Sequence, residues 1–192
     1  MTTESTRHEQ VIRAYGPGQV PPLVDTVADI WADAHPELVD NPGAQAMGLS
    51  VPALRQQITG HLKHPGFTLT VAYADGTAVG FGYAFSCSAD YWFGPALADH
   101  VPQAARHQRL MGLCELAVRP PWQSHGIGRR LHHALLEAIS PQWSSLLALP
   151  SNRRGQDLYA RLGYAYAGPY RSSPDGPEFD LLLLHVEAAT RL

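Results

Sequence analysis

Two glycines and two arginines near the middle of the chain carry the first chemistry that can be read from it. Gly126 and Gly128 lie two apart and open a run with helical period, and Arg129 and Arg130 follow directly. A glycine turn feeding a helix leaves several backbone N–H groups unpaired and pointing one way. With the positive end of the helix dipole they form a seat for an anion such as a phosphate. Arginines in a first helical turn face the wrong end of the dipole, a conflict that a bound anion removes. Two cations pointing into water is the other reading of the same spacing.

The elements around this turn follow from composition. Residues 114–118, CELAV, can form an apolar strand that buries at least one face. Pro120 and Pro121 stop it, because neither can donate to a strand ladder. Beyond the turn, Ile127, Leu131, Ala134, Leu135, Ala138 and Ile139 mark one helix face, which Pro141 closes at Ser140. The P-loop pattern needs a Gly-Lys-Ser/Thr that is missing here. The dinucleotide fingerprint needs a third glycine where Leu131 stands.

The hexapeptide Gln123-Ser124-His125-Gly126-Ile127-Gly128 resembles instead the Q/R-x-x-G-x-G/A loop of the GCN5-related N-acetyltransferases. The preceding Leu116-Ala117-Val118 resembles that family's L-x-V strand. A second stretch, SNRRGQDLYARLGY, is similar to the family's N-x-x-A-x-x-L-Y-x-x-x-G-F/Y through Asn152, Leu158, Tyr159, Gly163 and Tyr164, with Gly155 in place of the alanine. The resemblance implies an acetyltransferase that takes acetyl-coenzyme A as co-substrate; no metal is expected, because the ten histidines have no ligand spacing. Gln123 to Gly128, with Arg129, are then expected to hold the pyrophosphate, Asn152 to order cofactor or a cap, and the backbone of Leu116, Ala117 and Val118 to bind pantetheine and the acetyl oxygen. Tyr159 matches the tyrosine that protonates the leaving thiolate. Arg119 is a second candidate for the phosphates, and Trp122 reads as packing.

Glu115, on the strand just before the acetyl contact, is a candidate base acting through water; a strand-edge glutamate in a surface pair is the alternative. Asp90, Asp99 and the histidines of residues 87–111 compete for that role. This long insertion carries Tyr91, Trp92 and Phe93, and the resemblance puts it beside the acetyl end as a wall of the acceptor site. For each aromatic alone, capping a core edge is the other reading. Cys114 and Cys87 have no base at a motif spacing, so no acyl-enzyme is expected. His132 and His133 are adjacent and cannot make the i, i+4 pair of metal sites.

The expected fold is an α/β GNAT fold: a mixed, mostly antiparallel, twisted sheet of roughly six to seven strands with helices on both faces. The expected order is a flexible 1–10, then one domain over 11–192. It starts with a strand at Val11–Tyr15 and a helix from Pro21-Pro22 to Ala34, stopped by Pro36. A loop at Asn41-Pro42-Gly43 and a helix capped by Ser50 come next, then a hairpin turned at Asp75-Gly76, and a last hairpin turned at 172–177. The chain has 192 residues, 45% of them apolar, and a net charge of −3. That balance favours neither nucleic acid nor an anionic membrane. A cytoplasmic enzyme is expected, acting on a small-molecule or peptide amine, with strand edges that suit a homodimer. A non-catalytic acyl-coenzyme A binding module, a longer acyl donor and an alcohol acceptor are the alternatives.

Overall fold

The computed structural model describes residues 9–97, 100–171 and 176–186. Seven strands form one sheet in the order β1-β2-β3-β4-β5-β7-β6. They are β1 (Gln10–Tyr15), β2 (Thr68–Ala74), β3 (Thr77–Cys87), β4 (Leu110–Val118), β5 (Trp143–Ala148), β6 (Ala165–Arg171) and β7 (Glu178–His185). Every pairing is antiparallel except that of β4 with β5. This is the expected mixed sheet. The β2–β3 turn has positive φ at both Asp75 (+47°) and Gly76 (+80°), the backbone that a two-residue hairpin needs and that Asp-Gly favours.

Side-chain alternation divides the core. On β7, Leu181 and Leu183 pack with Leu110, Phe93 and Leu97, whereas Leu182 and Leu184 pack with Met111, Leu113 and Leu135. The run Leu181–Leu184 is buried throughout, as a continuously apolar strand requires. One face is covered by α1 (Val24–Ala34), α4 (Val51–His61), α5 (Ala89–Leu97) and α6 (Gln103–His107). The other is covered by α7 (Ile127–Ile139) and α8 (Arg153–Arg161).

Ser50 caps α4 by accepting from the Ala53 amide. Two prolines expected to interrupt structure start it instead. Pro36 opens the short α2 (Pro36–Val39) and Pro42 opens α3 (Pro42–Ala46), where Asn41 Oδ1 accepts from the amides of Gly43 and Ala44. Proline is at ease in a first turn, where its missing N–H has no partner to lose.

The insertion is also more ordered than expected. Cys87 closes β3, Leu110 and Met111 begin β4, and α5, broken at Gly94 (φ +59°), and α6 lie between. Phe93, Val101 and Ala105 are buried in the core that these helices complete. Its irregular spacing hid this, because tertiary packing and not local period defines such short helices. Asp99 and the expected turn at 172–175 lie outside the described residues.

Candidate active site

The site is built at a fork in the sheet. β4 and β5 pair only at Leu110–Trp143, Met111–Ser144 and Gly112–Ser145. Beyond Gly112 the two strands part, and β4 continues to Val118 beside β3 alone. Arg119 N–H donates to Val79 O on β3, so by alternation the Ala117 amide also faces β3. The amides of Leu116 and Val118 then face the fork with no strand partner there. Of the three residues expected to offer backbone to an acyl donor, two are turned toward the opening.

A bulge sits at the mouth of the fork. Tyr83 pairs with Glu115 and Ala84 with Leu113, leaving Cys114 unpaired. An extra residue shifts the side-chain phase. Leu113 keeps the α7 face, while Cys114 packs toward α1 and α4, and Glu115, opposite Tyr83, faces that way too. Unbroken alternation would have put Glu115 on the face of Leu113. Burial raises the Glu115 carboxyl from 4.5 to about 7, opposed by a hydrogen bond from the Trp31 side chain. The residue is half-buried and makes no ion pair among the described residues.

Tyr159 approaches from the opposite side. It lies on α8, packs with the Leu135 and Leu146 cluster, and sets its ring edge-on against Tyr164 at 5.7 Å. Its hydroxyl is held well above the ordinary tyrosine range, first by burial and then by the charge of Glu115. The fork thus brings the two groups into each other's electrostatic reach from opposite faces of the sheet. Tyr159 has no side-chain hydrogen bond among the described residues.

Behind Tyr164 lies a buried polar network. The Tyr164 hydroxyl is 2.9 Å from His132 Nε2 and 2.5 Å from Ser144 Oγ. Burial lowers His132 to about 4, with His133 adding to the effect.

The loop after β4 is fastened from both sides. Gln123 Nε2 donates to Val118 O at 2.8 Å, and Arg154 at the start of α8 donates to Gln123 Oε1 at 2.6 Å. His125 Nδ1 lies 2.7 Å from Gln123 O. Ser124 (φ +65°) and Gly126 (φ +76°) both adopt left-handed backbone. The first hydrogen bond of α7 runs from Arg130 N–H to Gly126 O, so the amides of Ile127, Gly128 and Arg129 lie ahead of the ladder. A Cβ on Gly126 would meet nothing within 4 Å, whereas one on Gly128 would stand 3.1 Å from Leu158 Cδ2 of α8. Gly126 provides the turn and Gly128 the close packing of two helices.

The cationic candidates divide. Arg119 is engaged by the Asp33 carboxylate and by Ala78 O at 3.2 Å, and so is withdrawn from the phosphate role given to it as an alternative. Arg130 donates to Gln10 Oε1. Arg129 is exposed and has no polar partner among the described residues. Unpaired amides, open space at Gly126 and a free guanidinium fit a diphosphate.

Asn152 caps α8, with Oδ1 accepting from the Gly155 amide at 3.0 Å. A Cβ on Gly155 would stand 2.6 Å from Asn152 Nδ2. Glycine in place of the pattern's alanine leaves room for that cap.

The aromatic trio of the insertion is divided. Phe93 is core, Tyr91 is 55% exposed, and Trp92 lies across Gly112, where a Cβ would meet its ring at 2.3 Å. Asp90 is exposed on α5. Trp31 and Tyr83, now beside Glu115, were not legible as site residues. Tyr83 reads as one more apolar position in a strand, and only the bulge opposite it reveals what it faces.

A family model described as an acetyltransferase (GNAT) domain matches residues 65–166, the span from the strand pair through both site segments. The chain belongs to the GNAT acetyltransferase family. Solved structures share the fold at low identity. A PaiA N-acetyltransferase of Thermoplasma acidophilum in complex with coenzyme A is 15% identical, with a TM-score of 0.56 over 92% of this chain and 99% of that one. The ribosomal-protein-S18-alanine N-acetyltransferase of Escherichia coli is 17% identical, with a TM-score of 0.59 over 92% and 93%. An aminoglycoside 6′-acetyltransferase type Ii is 15% identical, with a TM-score of 0.60 over 92% and 97%. No curated protein matches in sequence. The donor of a GNAT enzyme is acetyl-coenzyme A, and the β4–β5 fork and the Gly126 loop are the parts of this chain that suit it. No helix among the described residues is long and apolar enough to cross a membrane.

Proposed function

We propose that the protein transfers an acetyl group from acetyl-coenzyme A to a primary amine by direct attack. The observation that carries this reading is the pairing of Glu115 and Tyr159 across the fork. Their environments suit them to opposite tasks, one titrating near neutrality and the other held protonated. A carboxyl titrating at about 7 is half ionised at neutral pH and suits removal of a proton from an ammonium. A tyrosine whose hydroxyl is held protonated suits donation to a leaving thiolate.

In this mechanism Glu115 takes a proton from the acceptor ammonium, directly or through one water. The neutral amine attacks the thioester carbonyl. The fork-facing amides of Leu116 and Val118 are the donors available to the developing oxyanion. Tyr159 gives its proton to the sulfur as the C–S bond breaks, and recovers one from the amine nitrogen as the amide forms. The Gly126 loop, the leading amides of α7 and Arg129 hold the diphosphate. Cys114 takes no part: burial keeps its thiol protonated.

The test is thiol release from acetyl-coenzyme A with a panel of amines: spermidine, tryptamine, an aminoglycoside and a short peptide with a free N-terminus. The acetylated product is identified by mass spectrometry. Turnover with at least one amine and a large loss in Tyr159→Phe with coenzyme A affinity retained is the expected result. An O-acetyl ester as the product, or Tyr159→Phe turning over at the wild-type rate, overturns the assignment.

A further inference from the structure

Acetylation of an ammonium releases two protons from nitrogen. One leaves on the coenzyme A thiol. The other, taken up by Glu115, must reach solvent in every cycle before the carboxylate can act again. Glu115 is half-buried beside Trp31 on the α1 and α4 face of the sheet, and with the acceptor seated in the fork a route through protein groups would carry its proton away on the other side.

One such route runs away from the donor side of the fork. Tyr83 is the cross-strand partner of Glu115 and points to the same face. Tyr83 is fully buried, yet its hydroxyl lies 3.3 Å from Nδ1 of His61, at the C-terminal end of α4. His61 is half-buried, and its ring meets that of His64 edge-on at 5.5 Å. His64 stacks on Phe85 at 4.3 Å, and its Nε2 lies 3.2 Å from the hydroxyl of Tyr91, which is exposed on α5. A buried carboxyl, a buried hydroxyl and a half-exposed imidazole thus follow one another from the fork to the surface.

We propose that Tyr83 and His61 are the exit path by which the proton taken from the acceptor ammonium passes from Glu115 to solvent, a role that rests on Glu115 acting as the base. The carboxyl O–H of Glu115 gives its proton, through one water, to the Tyr83 oxygen as the Tyr83 proton moves to Nδ1 of His61. The resulting imidazolium loses the proton on Nε2 to water, and tautomer exchange with water resets the ring. No bond other than O–H and N–H changes, and nothing is oxidised or reduced.

The surrounding groups favour passage over storage. Burial, His64 and Lys63 together lower His61 to about 4, so an imidazolium there is short-lived at neutral pH. Burial first, then Cys114 and Glu115, keep the Tyr83 hydroxyl protonated. Cys114, whose side chain is the other hydrogen-bond partner of the Tyr83 hydroxyl, is held as a thiol by burial and takes up no proton. On α5, Asp90 is exposed.

The experiment measures turnover with the fastest amine of the panel, from acid to alkaline pH, for wild type, His61→Ala, Tyr83→Phe and Glu115→Gln, with and without graded imidazole. Removal of a relay group is expected to lower kcat by about 10²-fold or more, the range that proton transfer supplies to catalysis. KM for the amine and coenzyme A affinity by calorimetry should stay at wild-type values, which also certifies the fold. Imidazole should restore His61→Ala in proportion to its concentration and leave Tyr83→Phe unchanged. Wild-type kcat in both variants, or a loss in His61→Ala that imidazole does not repair, overturns the exit path. Glu115→Gln separates the two readings. If it keeps its rate, the base assignment falls and the path with it; if it alone loses its rate, only the path falls.

Discussion

Replacing Glu115 with glutamine should stabilise the protein at alkaline pH while disabling it. The Glu115 carboxyl titrates at about 7 in place of 4.5 because burial penalises the charged form. Between those two pH values the folded state holds a proton that the unfolded chain has released. Stability therefore falls as pH rises through this window, and is unaffected by this group below it. At 1.36 kcal/mol per pH unit, keeping the carboxylate ionised costs the fold on the order of 3 kcal/mol above pH 7. Glu115→Gln keeps the shape and an oxygen to accept from Trp31 but carries no charge. The variant and wild type should be about equally stable near pH 4. The variant should pull ahead by up to about 3 kcal/mol near pH 8, roughly 6–12 °C in Tm for a chain of this size. Turnover should fall by about 10²–10⁴. The assay is urea unfolding of both proteins across this pH range, with thiol release measured on the same samples. A stability difference that does not change with pH would refute the claim that burial of this carboxylate sets its titration. A stabilised variant with full activity would refute its use as a base.

Other changes test separate parts of the site. Gly126→Val places a β-branched residue at φ +76°; it should cost about 1–2 kcal/mol and abolish coenzyme A binding in calorimetry, while Gly16→Ala, at ordinary φ with open space around it, should leave binding intact. Tyr164→Phe leaves His132 Nε2 and Ser144 Oγ buried without their shared partner, and His132 Nδ1 already has none among the described residues; a loss of about 1–3 kcal/mol in denaturant melts is expected. Gly112→Ala drives a methyl into the Trp92 ring; overpacking should cost about 1–3 kcal/mol and raise KM for the amine more than for acetyl-coenzyme A.

The elements legible in the sequence were those whose signal is local. The Asp75-Gly76 turn, the Ser50 cap, the prolines after β4 and the glycines before α7 each act through backbone geometry within a few residues. The two motif segments were legible for the same reason. What the sequence hid depends on pairing between distant strands. Nothing local in CELAV says that Cys114 will be bulged out, and so nothing says which face Glu115 takes. Nor could residues 87–111 show that Phe93, Leu97, Val101 and Ala105 would find a shared core. Arg119 looked free because its partner, Asp33, lies far away in the chain.

The bulge and the fork are best understood together. Where β4 leaves β5, its outer amides lose their partners, and in a closed sheet that loss is a pure cost. Here the same parting leaves the amides of Leu116 and Val118 as donors for the proposed thioester and brings Tyr159, from the α8 side, into the electrostatic reach of Glu115. The bulge lies two residues past the last β4–β5 pair, Gly112–Ser145, at Cys114. It turns the one carboxyl of β4 away from the donor's face and toward Trp31 and Tyr83. Without the fork, Glu115 and Tyr159 would be screened from each other by a continuous sheet. Without the bulge, both would lie on one face, and a base would compete with the thiol for the same space. In the proposed reaction one proton is removed at Glu115 and another delivered at Tyr159, and these two irregularities in β4 are what set the proposed base and acid on opposite faces of the sheet.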